Sequence, residues 1–187
     1  MRVLMIGAGV IGSIYGWALA ESGHHVVHLV RSGRAAALGE GVALDILDRR
    51  KGRKRNFGGL YRLDAVETLS SADAFELVII PVKHYALMQT LQEVVPRAGP
   101  AEFLLLTQNW RGTKDVDSFL PRQRYISGDA KAGGAFSGGR LLATLLTIEL
   151  LSIPSDAQRM PLVTRLRSRL SMRTSSQRGM ISAFRCL

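Results

Sequence analysis

The sequence predicts an α/β fold in which helices cover a doubly wound, mainly parallel sheet. Short unbroken apolar runs alternate with segments of helical periodicity over residues 1–150, a pattern typical of parallel strands buried on both faces. The first apolar run also leads into a glycine-rich turn and then a helix. These two observations place the chain in the α/β class.

Each predicted element ends at a recognisable signal. Gly23 caps the first helix, Pro81 ends a strand, and Pro96 stops the helix that carries Leu87 and Leu91 on one face. In chain order the predicted elements are a strand at Arg2–Ile6, a helix at Val10–Ser22, a strand at His25–Arg31, a short helix at Arg34–Leu38, extended segments at Val42–Leu47 and Leu60–Leu63, a strand at Phe75–Ile80, a helix at His84–Val95, a strand at Phe103–Thr107, a short helix at Gly112–Leu120, a strand at Arg124–Ser127, a turn region at Gly133–Gly139 and a β-prone run at Leu141–Leu150.

The composition changes after Leu150, which predicts a boundary there. Only Gly179 of the 19 glycines lies beyond it, and residues 151–187 hold seven arginines and one acid, Asp156, so this segment carries much of the net charge of +10. We expect residues 1–150 to form one domain. We expect residues 151–187 to be a basic, partly helical segment, either a tail or only the start of a truncated helical second domain. An isolated short helix is marginal in water, so its apolar stripe of Leu162, Val163, Leu166 and Leu170 predicts docking on the domain, on a second copy in a homodimer or on another partner.

Cysteine count, hydropathy and charge argue against a disulfide-bonded, a membrane-spanning and a nucleic-acid-binding protein. The single cysteine, Cys186, cannot form an internal disulfide, which fits a reducing, cytoplasmic location. Val3–Ala20 has no charged residue, but its glycines suit a strand, a turn and a helix better than a membrane span. The basic run Arg49–Arg55 lacks interleaved aromatic residues, so it is interpreted as a solvated loop and nucleic-acid binding is not expected.

A glycine-rich turn between the first strand and first helix is the strongest chemical signal. It has the G-x-G-x-x-G spacing of Rossmann-type dinucleotide sites, in which the glycines allow a tight turn, close approach of a pyrophosphate, and helix–strand packing. An ordinary glycine turn in an α/β protein is the alternative. The predicted phosphate-binding residues are Gly7, Ala8, Gly9, Val10, Ile11 and Gly12.

The end of the second predicted strand indicates which dinucleotide binds. Sites for NAD usually carry an acid there, but no acid lies between Glu21 and Glu40, and Arg31 stands at that position. Arginine forms charge-assisted hydrogen bonds with phosphate. The sequence therefore favours NADP, with a solvated arginine as the alternative. The nearby histidines His24, His25 and His28 are interpreted as structural, and no metal site is predicted.

Four segments, in order and spacing, resemble the ketopantoate reductase (2-dehydropantoate 2-reductase) family over about residues 1–150. They are GAGVIGSIYG at Gly7–Gly16, VRSGR at Val30–Arg34, VIIPVKHYAL at Val78–Leu87 and LLLTQNWRGT at Leu104–Thr113. The resemblance implies an oxidoreductase of pantothenate biosynthesis that reduces a small 2-oxo acid, ketopantoate, with NADPH. It also implies an N-terminal Rossmann domain followed by a helical domain, with the active site between them.

The resemblance assigns roles to individual residues. Gly7–Gly12 matches the pyrophosphate loop, Arg31 the 2′-phosphate contact, and Lys83 and Asn109 the catalytic residues beside nicotinamide and substrate. Trp110 stands where the family has glycine, which leaves the substrate's identity open. The family's acid is a lysine of the second domain, but no lysine follows Lys131. We therefore expect little turnover from this chain alone, and the alternative is a non-catalytic NADP-binding module or regulator.

Overall fold

The computed structural model describes residues 1–50, 55–70, 73–107 and 114–151, with the backbone alone at 147–151, and also Leu166. Within these residues nine strands form one sheet. The strands are β1 (Arg2–Ile6), β2 (His25–Leu29), β3 (Val42–Asp48), β4 (Arg55–Tyr61), β5 (Asp64–Val66), β6 (Leu77–Ile80), β7 (Glu102–Leu105), β8 (Tyr125–Ser137) and β9 (Arg140–Leu151), and the helices are α1 (Val10–Glu21), α2 (Ala35–Leu38), α3 (His84–Val94) and α4 (Lys114–Asp117).

The strand order is β5-β2-β1-β6-β7-β8-β9-β3-β4. The first six strands in this order run parallel to one another. Strands β2 and β5 extend the sheet from β1 on one side, and β6, β7 and β8 extend it on the other. Strands β3 and β4, which lie between β2 and β5 in the chain, are at the far end of the sheet beyond β9. The predicted doubly wound, mainly parallel sheet is therefore confirmed. Its direction of winding reverses between β1 and β6, where ligands bind in open α/β sheets.

Two antiparallel hairpins complete the sheet beyond β7. Strand β9 returns antiparallel to β8, while β3 pairs parallel with β9 and antiparallel with β4. The predicted turn over Gly133–Gly139 is wrong in most of its length, because β8 continues to Ser137 and the turn is confined to Gly138 and Gly139, both at positive φ. A Cβ on Gly134 would overlap the Leu142 carbonyl, so this glycine marks a close approach of two strands.

Apolar side chains fill both faces of the sheet. On one face α1 packs Ile14, Trp17 and Leu19 against a core that includes Leu44 and Ile46 of β3. On the other face α3 packs Leu87, Leu91 and Val94 against Phe103 and Tyr125. Burial of both faces explains why the central strands β1 and β6 are nearly continuous apolar runs rather than alternating ones.

Helix α1 is buried over most of its length, since the sheet contacts it at β1 and β2 as well as at β8 and β9. A helix that is apolar all round suits such a position. This placement accounts for the uncharged stretch Val3–Ala20 without a membrane. No helix in the described part of the chain is both long and apolar enough to cross a membrane.

Two predicted segments lie largely outside the described residues. In the basic run Arg49–Arg55, residues 51–54 are not described, Arg50 pairs with Asp48 at 2.6 Å, and Arg55 begins β4. In the segment 151–187 only Leu151 and Leu166 are described. The Leu166 side chain is 1% exposed and belongs to the core that contains α1.

Candidate functional site: a cleft at the carboxyl edge of the sheet

The predicted site residues follow neighbouring strands at one edge of the sheet. In the parallel register Ile6 lies beside Leu29 and Met5 beside Ile79, so the segments after β1, β2 and β6 leave the sheet at the same edge. Gly7 follows β1, Arg31 follows β2, and Lys83 follows β6. The topology therefore places these three residues around the point where the winding reverses.

The glycine loop begins immediately after β1. Gly7 has φ of +84°, a left-handed conformation that side chains disfavour, and its N–H donates to the Leu29 carbonyl at 2.7 Å. Gly9 then starts α1 as its N-cap, and its carbonyl accepts the Ser13 N–H at 2.8 Å. No side chain caps the helix and no acid lies in its first turn. This helix terminus keeps the polarity that attracts an anion.

Gly12 leaves space for packing of the helix on the loop, and Gly9 leaves space for a ligand. A Cβ on Gly12 would lie 2.7 Å from the Gly7 carbonyl oxygen, so glycine is required there for the helix to pack on the loop. A Cβ on Gly9 would meet no atom within 4 Å, so this position faces open space. The backbone at Gly9 is thus open to close approach, as a pyrophosphate requires.

A cleft of about 540 Å³ opens over this loop. Two arginines contribute to it, Arg31 after β2 and Arg34 three residues further on, and both are exposed. The cleft is lined by Gly7, Ala8, Gly9, Val30, Arg31, Arg34, Leu38, Val42 and Phe136. The structure therefore places Arg31 beside the glycine loop, together with Arg34 and Phe136.

The turn that carries the arginines is held by Glu67, a residue that the sequence analysis missed. The Glu67 carboxylate accepts the Ala35 N–H at 2.8 Å. Hydrogen bonds from the backbone N–H groups of Ala35, Gly33 and Arg34 lower the pKa of this carboxyl. Glu67 directly follows β5 at the same edge of the sheet. An acid after a strand was the available signal, but β5 has only three residues and was not predicted.

The structure describes only one of the two predicted catalytic residues, Lys83. Lys83 is exposed and precedes α3 with extended backbone, φ −66° and ψ 148°. Lys83 follows β6 at the carboxyl edge of the sheet but does not line the cleft that contains Arg31. Asn109 and Trp110 lie outside the described residues, two and three positions beyond Thr107. Because β7 is parallel to β6, the described chain up to Thr107 leaves the sheet at the same edge.

The residues present fit a dinucleotide. An open glycine loop, an uncapped helix N-terminus and two arginines share one cleft where the winding of the sheet reverses, and backbone amides with guanidinium groups are the donors that bind phosphates. In the described parts of the chain, no group of His, Cys, Asp and Glu side chains is arranged to hold a metal ion. Fold and site together define an α/β chain with a Rossmann-type sheet and a glycine loop at its carboxyl edge.

Comparison with known sequences gives the family. The profile of the family described as ketopantoate reductase PanE/ApbA matches residues 3–140. The chain therefore belongs to this family, as the four sequence segments predict. No curated protein matches the chain in sequence.

Solved structures share the fold. 2-Dehydropantoate 2-reductase from Geobacter metallireducens GS-15 is 20% identical with a TM-score of 0.66, and the match covers 89% of this chain and 54% of that one. The enzyme of the same name from Methylococcus capsulatus is 22% identical with a TM-score of 0.59, covering 80% and 47%. D-mandelate dehydrogenase, solved with NADH and anilino(oxo)acetate, is 22% identical with a TM-score of 0.62, covering 89% and 54%. The chain thus spans about half the length of these proteins.

Proposed function

We propose that this chain binds NADP(H) and provides the cofactor-binding part of a reductase that converts a 2-oxo acid, ketopantoate, to the 2-hydroxy acid. One observation carries the proposal: Arg31 and Arg34 line the same cleft as the glycine loop. The family and its structural neighbours are oxidoreductases, which supports the reaction class. The NADH named with D-mandelate dehydrogenase makes the choice of dinucleotide an experimental question.

In this proposal each group has a defined task. The amides at Gly7–Gly12 bind the pyrophosphate, and Arg31 with Arg34 binds the 2′-phosphate, which NAD lacks. The bound cofactor supplies the hydride. Lys83 and Asn109 orient the substrate, and the Lys83 ammonium group stabilises negative charge on the carbonyl oxygen.

The cofactor assignment is tested by titrating NADPH and NADH into the wild-type chain and into Arg31→Ala. One hydrogen bond to a charged group contributes roughly 1.5–3 kcal/mol, or about 10- to 150-fold in affinity. We expect wild type to prefer NADPH by a factor in this range and Arg31→Ala to lose most of the preference. Arg122→Ala is the matched control, because Arg122 precedes β8 at the opposite edge of the sheet and is exposed. Equal affinities in wild type would contradict the proposal.

The reaction is tested separately, by following NADPH absorbance with and without ketopantoate. Substrate-dependent oxidation that Lys83→Ala lowers supports the reductase. Tight NADPH binding without turnover supports the alternative of a non-catalytic NADP-binding module.

A further inference from the structure

His28 and Tyr61 form a buried pair directly behind the glycine loop. His28 lies on β2 and Tyr61 at the end of β4, and their side chains are 0% and 5% exposed. The His28 ring nitrogen Nδ1 lies 2.9 Å from the Gly7 carbonyl oxygen. Its other nitrogen, Nε2, lies 3.0 Å from the Tyr61 hydroxyl. The imidazole therefore links a core strand to the first residue of the loop.

The partners define where the protons lie. A carbonyl oxygen can only accept, so Nδ1 carries the hydrogen and donates it to Gly7. A neutral ring then has an acceptor at Nε2, which receives the Tyr61 O–H. Burial lowers the pKa of His28 and keeps the ring neutral, although the Gly7 carbonyl and Asp64 act in the opposite direction. The Gly7 carbonyl thereby selects the tautomer, and the Tyr61 hydroxyl donates to Nε2 and holds the ring in place.

Strand β2 holds the Gly7 residue at both of its backbone groups. Its N–H donates to the Leu29 carbonyl at 2.7 Å, and its carbonyl accepts from His28. These two hydrogen bonds fix the orientation of Gly7 at a φ of +84°. The backbone of Ala8 and Gly9, which lines the cleft, continues from that orientation.

Helix α1 is shaped to leave room for the pair. A Cβ on Gly16 would lie 2.5 Å from His28 Nε2 and 2.9 Å from the Tyr61 hydroxyl oxygen. The helix therefore passes over the hydrogen bond between these two side chains with only a hydrogen atom at position 16. This explains a glycine in mid-helix, where it is otherwise unfavourable.

We propose that His28, oriented by Tyr61, is a positioning residue that sets the Gly7 carbonyl and hence the amides that bind the pyrophosphate. His28 contacts the loop from the core side, and it acts on affinity through Gly7. This inference rests on the proposed dinucleotide binding, so its test includes a measurement that needs no dinucleotide.

Two substitutions of His28 distinguish the contact at Nδ1 from the contact at Nε2. In His28→Asn the side-chain amide nitrogen takes the place of Nδ1 and still donates to Gly7, whereas the contact with Tyr61 is lost. In His28→Gln the terminal amide takes the place of Nε2 and still meets Tyr61, whereas the Gly7 carbonyl is left without its donor. Each variant keeps one of the two hydrogen bonds, so a purely structural role predicts similar losses of melting temperature and of affinity.

Three quantities are measured for each variant: the melting temperature, the NADPH dissociation constant by calorimetry, and the amide NMR resonances of Gly7 and Gly9 without cofactor. A buried hydrogen bond that is removed on one side costs roughly 1–3 kcal/mol, and we expect His28→Gln to weaken NADPH binding roughly 5- to 100-fold and to shift both resonances. We expect His28→Asn to stay within roughly 3-fold of wild type. Equal affinities in the two variants, or affinities that simply follow the melting temperature, overturn the inference.

Tyr61→Phe covers the case in which the His28 variants do not fold. Removing the hydroxyl leaves Nε2 without its hydrogen-bond donor, so the ring is held at Gly7 alone, and we expect shifted Gly7 and Gly9 resonances with weaker NADPH binding. Unchanged resonances overturn the inference. If wild type binds no dinucleotide, the proposed function fails, while the NMR comparison still decides whether His28 positions the loop.

Discussion

Glu67 binds the backbone of the turn after β2, and the same turn carries Arg31 and Arg34. Glu67 accepts hydrogen bonds from the backbone of residues 33–35, while the side chains of Arg31 and Arg34 line the cleft. The acid is thus engaged with the backbone of the turn. This arrangement holds the arginines in place from outside the cleft.

Replacing Glu67 tests this arrangement. We expect Glu67→Ala to reduce the preference for NADPH over NADH several-fold, because the turn loses its acceptor and Arg31 is less fixed. Glu67→Gln, which keeps an acceptor oxygen without the charge, is expected to fall between alanine and wild type. Glu93→Gln is the control, because Glu93 lines the same small cavity as Glu67 but lies on α3. The measurement is the ratio of the two dissociation constants, and an unchanged ratio in Glu67→Ala would contradict the expectation.

Local residues of the site were predictable and distant ones were not. The glycine loop and Arg31 lie beside strands that are clear in the sequence, so spacing alone places them. His28, Tyr61 and Glu67 act through partners more than 20 residues away. Sequence periodicity gives no information about which strands become neighbours. The pairing of β3 with β9, which completes this sheet, therefore could not be predicted from it.

At the scale of elements, the sequence predicts long apolar elements more accurately than short or glycine-rich ones. Strand β1 is found at the predicted residues Arg2–Ile6, and α1 and α3 end within one residue of their predicted ends. Strand β8 was predicted to end at Ser127 because glycines follow, yet cross-strand pairing with β9 extends it to Ser137. Strand β5 has too few residues for a period to show.

Gly16 offers a test of how closely α1 is packed. Replacing a helical glycine by alanine ordinarily stabilises a protein by roughly 0.5–1 kcal/mol. Here the added methyl group would collide with His28 and Tyr61, and overpacking in a core costs typically 1–3 kcal/mol. We therefore expect Gly16→Ala to be destabilising by about that amount in urea denaturation. Gly58→Ala on β4 is the control, since a Cβ there meets no atom within 4 Å. A stabilised Gly16→Ala would show that α1 is not held against the pair.

At the scale of the whole molecule, α1 is enclosed by strands from distant parts of the chain. Side chains of β1, β2, β3 and β9 share one core with α1, and Leu166 is part of it. Leu166 belongs to the apolar stripe from which docking of residues 151–187 was predicted. Its burial at 1% exposure is the observation that makes this prediction worth testing by substitution.

Leu166→Ala tests whether this part of the chain contributes to the fold. Removing a buried leucine side chain costs roughly 2–5 kcal/mol, and each kcal/mol lowers the melting temperature by about 2–4 °C in a domain of this size. We expect a fall of roughly 5–15 °C for Leu166→Ala and little change for Leu166→Met, which conserves volume. Leu142→Ala is the control at a leucine that is 45% exposed. If Leu166→Ala melts like Leu142→Ala, Leu166 does not dock on the core in solution, and the apolar stripe remains available to a second copy or another partner.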